Sequence, residues 1–305
     1  MEAAVLASGA ALAQARVADR HGEFADVALA PRSADDPSCA GATLAPYAGR
    51  IARGRLRIGR QTVQLTLNEG SSQLHGGDGA LWRRLWRFEG FREGAGWQEV
   101  AFCAEAEDGL DGFPGSRRFT AAYRLHSDQR LELLLSAETD RPTRVNLSNH
   151  AYFNLSGDFS RGVSGHLLQL RAGQVYLNDE AFLPRSLCAP PPELDYRSAR
   201  AVGGPQGGAQ REGARGLNHC YVLSAPDNGP SATLVDPGSG RRLRLYTDQP
   251  CVTVYSGGFL PAPGCAIALE AQEHPESPLS PPPKPLLPGE VYRRRIVYRF
   301  DAIPV

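Results

Sequence analysis

The run Arg144-Val145-Asn146-Leu147-Ser148-Asn149-His150-Ala151-Tyr152-Phe153-Asn154-Leu155-Ser156-Gly157 sets three Asn, two Ser and one His among alternating apolar residues. On an extended chain successive side chains point to opposite faces. Val145, Leu147, Asn149 and Ala151 then share one side, and Asn146, Ser148, His150 and Tyr152 the other. Imidazole both gives and takes a proton near neutral pH. A strand that lines a polar cleft with these residues offers acid–base chemistry. A core histidine satisfied by neighbouring amides uses the same residues, so on spacing alone both readings stand.

Other groups with chemical potential lie far away in sequence. His75 precedes Gly76-Gly77, glycines that permit a tight backbone. Arg50 follows Gly49, and a planar fork of donors suits two adjacent hydroxyls. In Ala268-Leu269-Glu270-Ala271-Gln272-Glu273 an extended chain turns Leu269 and Glu270 to opposite faces, so Glu270 can enter a cleft while its neighbours bury. A glutamate in so proline-rich a region is ordinarily a surface residue, and Glu273 and Glu276 compete with it. His126-Ser127-Asp128 has the H-x-D form of a two-His-one-carboxylate iron site, but it falls in a turn cluster.

The pattern of these pieces resembles one family. Asn146–Gly157, NLSNHAYFNLSG, is similar to the NLTNHSYFNLAG segment of the aldose 1-epimerases, also called galactose mutarotases. In chain order, Tyr47–Leu56 resembles that family's YANRIxxGxF and Asn68–Gly77 its NxGxNxLHGG. Asp108–Gly115 resembles DGEEGYPG, Leu217–Tyr221 LDHCF, Tyr246–Leu260 TTQPGVQFYTGNFL, and Ala268–Pro275 CLETQxxPD. The resemblance implies mutarotation of a free aldose, with Glu270 as general base and His150 as general acid. His75 would polarise the ring oxygen or share the proton. Arg50, Asn218 and Gln249 would position hydroxyls, Gln249 alternatively holding the carboxylate. It implies no cofactor and no metal, and a bell-shaped pH profile whose acid limb belongs to Glu270 and whose alkaline limb belongs to a protonated His. Two departures stand out. Gly49 replaces the family's Asn, and Asn218 replaces an Asp, keeping donor and acceptor but losing the charge. His219 is read as packing beside a strand start.

Positioning such groups requires strands. Residues 97–140 alternate repeatedly, at 100–102, 119–125 and 131–135, separated by the turn clusters 108–115 and 126–129. The first thirty residues read as a strand hairpin turning at Asp19-Arg20-His21-Gly22, and Tyr292 to Phe300 as a closing strand. Arg53, Arg55, Arg57 and Arg60 follow strand period as a solvated face. Residues 184–217, with Pro190–Pro192 and Gly203–Gly208, read as surface loops, and Pro281–Pro283 as a stiff one. The expectation is an all-β fold, a large antiparallel sandwich of the galactose-mutarotase type with few short helices, as a single domain over 1–305.

Composition limits the alternatives. The 305 residues are 42% hydrophobic and 22% charged with a formal net charge of zero, which argues against a nucleic-acid or membrane-surface partner. Lys284 is the only lysine. The six Cys form no CxxC pair, and no charged start plus apolar run marks a leader. A reduced cytoplasmic enzyme acting on a small-molecule aldose is expected, as monomer or homodimer. Three rivals remain at this stage. A non-haem iron enzyme needs a second histidine beside a carboxylate. A non-catalytic sugar-binding module would have lost the acid or the base. A sugar-phosphate epimerase would want clustered cations, and the arginines are scattered.

Overall fold

Trp97–Ala106, Arg117–His126 and Arg130–Thr139 are ten-residue strands whose apolar positions alternate, so each has one face to bury. They pair antiparallel in consecutive hairpins, Cys103 opposite Thr120 and Tyr123 opposite Leu133. Tyr292–Ala302 joins them by pairing with Arg130–Thr139, so the chain's last strand sits mid-sheet. The computed structural model describes residues 1–33, 36–203, 216–224, 229–280 and 284–304. Within these, nine strands form the large sheet, in the order 200–201, 167–170, 232–235, 241–247, 292–302, 130–139, 117–126, 97–106 and 87–94.

A six-stranded sheet packs against it, in the order Tyr152–Phe153, Ile267–Gln272, Cys251–Tyr255, Asn218–Leu223, Ala172–Asn178, Pro184–Cys188. One apolar cluster fills the gap. The large sheet supplies Ala121, Leu133, Leu135, Leu243, Ile296 and Tyr298; the smaller supplies Val175, Tyr221, Val252, Val254, Leu269 and Ala271. This is the face-to-face packing of a sandwich, and every strand pair within the sheets is antiparallel. The only helices among the described residues are three short 3-10 turns.

The N-terminal hairpin is present: Glu2–Leu6, Ala11–Ala18 and Phe24–Asp26 form a small sheet. Arg53, Arg55, Arg57 and Arg60 are exposed. Residues 184–203 correct the surface-loop expectation. Pro184–Cys188 and Arg200–Ala201 are edge strands, and Leu194, Tyr196 and Val202 are buried in the core, because these few apolar side chains anchor an otherwise Pro-rich segment. Most of Gly203–Gly208 and all of Pro281–Pro283 lie outside the described residues.

Candidate active site

Because Val252, Val254, Leu269 and Ala271 take the core side of the six-stranded sheet, their neighbours Thr253, Tyr255, Glu270 and Gln272 take the other. Asn218 and Cys220 join them there from the adjacent strand. Segments from the first eighty residues fold over this face and close a cavity of about 530 Å³. Arg50, Glu69, Leu74 and His75 line its far wall. The volume lies within the range of small-molecule sites.

The central run 144–157 delivers His150 to this cavity, with one difference from the continuous strand expected. It forms two short strands, Ser148–Asn149 and Tyr152–Phe153, broken at His150 and Ala151. The break arises because the Asn149 side chain takes over backbone pairing. Its Nδ2 donates to the Gly41 carbonyl at 2.7 Å, and its Oδ1 accepts from Ala151 N–H at 3.2 Å. Asn146 does the same, donating to the Ala48 carbonyl and accepting from Glu273 N–H, and Asn154 donates to the Cys265 carbonyl at 2.7 Å. The three asparagines are therefore fasteners. The alternation holds in part: Val145, Leu147 and Ala151 are in the core and His150 and Tyr152 line the cavity, but Asn146 and Ser148, expected on the cleft side, are fully buried away from it.

His150 is fixed on several sides. Its N–H donates to the Ala42 carbonyl and its carbonyl accepts from Gly41 N–H. Its ring stacks on Tyr152 at 4.7 Å and 29° and meets His75 edge-on at 5.5 Å. Nε2 stands 3.7 Å from Glu270 Oε1. His75 has a left-handed backbone, φ 51°, and its Nδ1 accepts from Gly49 N–H at 3.2 Å. Its ring proton is thereby placed on Nε2, which makes His75 a neutral donor. Both following glycines are necessary here. A Cβ at Gly76 (φ 92°) would sit 2.7 Å from Pro46 Cδ, and one at Gly77 (φ 95°) 2.5 Å from the Asp111 carboxyl. Asp111 also accepts from Gly79 N–H and Thr66 Oγ1, tying the 108–115 cluster to the histidine loop.

The choice of glutamate follows from its partners. Glu276 is paired with buried Arg144 at 2.7 Å, and Glu273 with Arg294 and the Tyr292 hydroxyl. Glu270 faces the cavity without an arginine in hydrogen-bond range. Burial pushes its carboxyl up to about 8, against a weaker downward pull from the Arg50 charge. Burial pushes His150 down to about 4, and His75 well below the ordinary imidazole value, helped there by the charges of His150 and Arg50. Both shifts run against charge on this pair, away from an ionised Glu270 and a protonated His150.

The remaining expected residues divide. Arg50 lines the cavity, donating through Nε and Nη2 to both oxygens of Glu69 at 2.5 and 2.7 Å. Asn218 lines it too, and its carbonyl accepts from Asn178 Nδ2. Gln249 does not line the cavity. It is buried behind the sheet, its Nε2 donating to the Leu147 and Ala271 carbonyls, so it braces the strands that carry His150 and Glu270 and does not reach a hydroxyl. His219 is also outside the cavity lining. His126 bonds to Glu132 and Asp128 to Arg130, which removes the H-x-D pair from consideration. Glu69, Asn178 and Phe182 line the cavity without having been singled out by sequence. Only Glu69 left a trace, six residues before His75 in the same loop.

His75, His150 and Glu270 offer ligand atoms within 4.8 Å of one another. These three are the two-histidine, one-carboxylate donor set weighed as a rival from the sequence, brought together here by His75 in place of His126.

The antiparallel sandwich thus carries, on its smaller sheet, a cleft lined by two imidazoles and a buried carboxyl. The particular family follows from comparison with known proteins. Residues 1–299 match the family model described as aldose 1-epimerase, and the chain belongs to that family. It is 32% identical over 320 residues to an aldose 1-epimerase of Escherichia coli, covering 96% of this chain and 90% of the relative. It is 29% identical to a galactose mutarotase of Mus musculus, covering 97% and 90%. Among solved structures, an aldose epimerase homologue from C. elegans superposes with a TM-score of 0.89 at 27% identity, covering 99% of this chain and 95% of that one. A galactose 1-epimerase from Lactobacillus acidophilus gives 0.87 at 26%, covering 98% and 91%. No helix among the described residues is long and apolar enough to cross a membrane.

Proposed function

We propose that this protein interconverts the α and β anomers of a free aldose, with Glu270 and His150 exchanging the two protons of ring opening. The observation that carries this is the buried Glu270 carboxyl, unpaired with arginine, 3.7 Å from His150 Nε2 inside a cavity of sugar-accommodating size. In the opening step the Glu270 carboxylate takes the proton of the C1 hydroxyl, and that O–H pair becomes the C1=O bond. The C1–O5 bond breaks as its electron pair goes to O5, which takes the His150 proton. Rotation about C1–C2 presents the other carbonyl face. Reclosure runs the transfers backwards: O5 attacks C1 and returns its proton to His150, while Glu270 returns its proton to the carbonyl oxygen. The pair cycles between two forms with the same proton count, and each transfer contributes roughly 10²–10⁴-fold. Burial works against charge on both partners, which favours the form with the proton on Glu270 beside a neutral imidazole.

In this reading His75 donates to the ring oxygen, while Arg50 and Asn218 hold hydroxyls. Residues 1–305 act as one domain, a reading supported by a core cluster that runs from Ala10 to Phe300. The enzyme works in the cytoplasm, where unpaired thiols such as its six persist.

The test is anomer exchange measured by NMR on glucose, galactose, xylose and arabinose after exhaustive chelation. Enzyme-dependent exchange that survives the chelator is expected; exchange at the buffer rate on every sugar would end the proposal. In the same panel Asn218→Asp is expected to change the ratios of kcat/KM among the sugars, because a charged acceptor binds a hydroxyl more strongly than an amide by roughly 1 kcal/mol. Unchanged ratios would take position 218 off the sugar.

A further inference from the structure

Glu69 lies on a tight turn, its N–H donating to the Ser72 carbonyl and its carbonyl accepting from Ser72 N–H. Just before it, the Asn68 side chain clamps Leu74, donating to its carbonyl and accepting from its N–H at 2.7 Å. The loop that presents Glu69 is thus fastened to the residue preceding His75. Glu69 and Glu270 are the only carboxylates among the described residues that line the cavity. Glu270 is deep and buried, whereas Glu69 is 41% exposed at the rim. Across from Glu69, the Phe182 ring lies 5.0 Å under the Arg50 guanidinium and meets Phe259 edge-on at 5.6 Å. Phe182 holds a left-handed backbone, φ 58°, in a turn where Asp179 accepts from Phe182 and Leu183 N–H groups. A bulky side chain in that region is strained and persists only where the surroundings impose it. Here it serves to seat Arg50 against Glu69.

The Arg50–Glu69 pair is not used up by its own two bonds. A guanidinium has five N–H donors and a carboxylate about four acceptor positions, and the pair consumes two of each. What remains at the rim is a donor edge beside an acceptor edge. A vicinal diol is the complement: one hydroxyl donates to the carboxylate while its neighbour accepts from the guanidinium. Because Glu270 and His150 hold the C1 end at the buried floor, the diol at the rim belongs to the opposite side of the sugar ring.

We propose that Glu69 is a substrate-binding and specificity-determining residue that, together with Arg50, takes one vicinal diol of the aldose at the cleft rim. This rests on the anomer-exchange reading above. The test compares wild type and Glu69→Gln on an aldose and on its monodeoxy analogues, each lacking one ring hydroxyl. For the parent sugar the variant should raise KM with kcat little changed, so that kcat/KM falls roughly 10–100-fold, the loss of one charge-assisted hydrogen bond. For the analogue lacking the recognised hydroxyl, variant and wild type should agree within about threefold. Glu69→Asp, which keeps the charge and shortens the reach, should fall between the two. Equal losses on every analogue would mean that Glu69 only supports Arg50; no loss on any sugar would remove it from the site. Either result overturns the proposal. Wild-type exchange of the parent sugar runs in the same experiment, so failure of the underlying activity is read separately.

Discussion

Glu270→Gln lowers kcat for anomer exchange by roughly 10²–10⁴-fold, and His150→Gln does the same, with KM moving little in either. Gln keeps the shape and hydrogen-bonding reach of Glu but cannot cycle a proton. The double variant falls by much less than the product of the single losses, because both groups serve one step and removing either already halts it. The expectation is specific to position 270. Glu273 and Glu276 are held by Arg294 and Arg144, so their replacement acts first on stability. Progress curves from a freshly dissolved pure anomer, followed by polarimetry, decide the matter. Glu270→Gln activity within about threefold of wild type would transfer the base to another residue.

The same substitution makes the protein more stable at alkaline pH. In the folded chain Glu270 is raised from an ordinary carboxyl value to about 8, while in the unfolded chain it titrates near 4.3. A raised folded value means that the unfolded state gives up its proton first. Wild-type stability is therefore undiminished below about pH 4 and is drawn down as pH climbs toward 8, after which the buried carboxylate carries its full cost. A gap of this size corresponds to roughly 3–5 kcal/mol. Gln carries no such titration, so Glu270→Gln and wild type should unfold alike at pH 4 and diverge progressively to pH 9, the variant being the more resistant to urea. A difference that does not grow with pH would mean that Glu270 is not buried in the way described. Stability given up at a functional carboxyl is the usual cost of an active site.

Much of this arrangement is legible in the residues. The alternation across 144–157 placed His150 on the cleft side, and the alternation of Leu269 with Glu270 placed the carboxyl there too. Turn clusters marked the long hairpins because Gly, Asp and Pro have few other uses between period-2 runs. What was not legible depends on contacts far apart in sequence. That Glu273 and Glu276 are committed to Arg294 and Arg144 requires pairing across more than twenty residues in the first case and more than a hundred in the second. The same holds for Gln249, whose motif position suggested the carboxylate or the sugar but whose amide nitrogen donates to the Leu147 and Ala271 carbonyls. Phe182 left no signal, since a left-handed turn with no glycine has no compositional mark. The protonation of the pair also depends on burial that the sequence does not display. Ordinary side-chain values assign the proton to His and the charge to Glu, but burial under the 49–50 and 69–75 segments penalises both charges and exchanges the order.

That reversal gives the central claim its sharpest test, the pH dependence of kcat/KM, which reports ionisations of the free enzyme. If one proton shared between Glu270 and His150 is the working inventory, activity fills the window in which the pair holds a single proton. The profile is then a bell with limbs near pH 4 and pH 8. The acid limb belongs to His150 and the alkaline limb to Glu270, the opposite of the assignment ordinary values imply. The low residual activity of His150→Gln then depends on Glu270 as carboxylate alone, so it should rise through about pH 8 and show no alkaline limb. A wild-type alkaline limb near the ordinary imidazole value of about 6.5, or a His150→Gln variant whose activity still falls above about pH 8, would contradict the account.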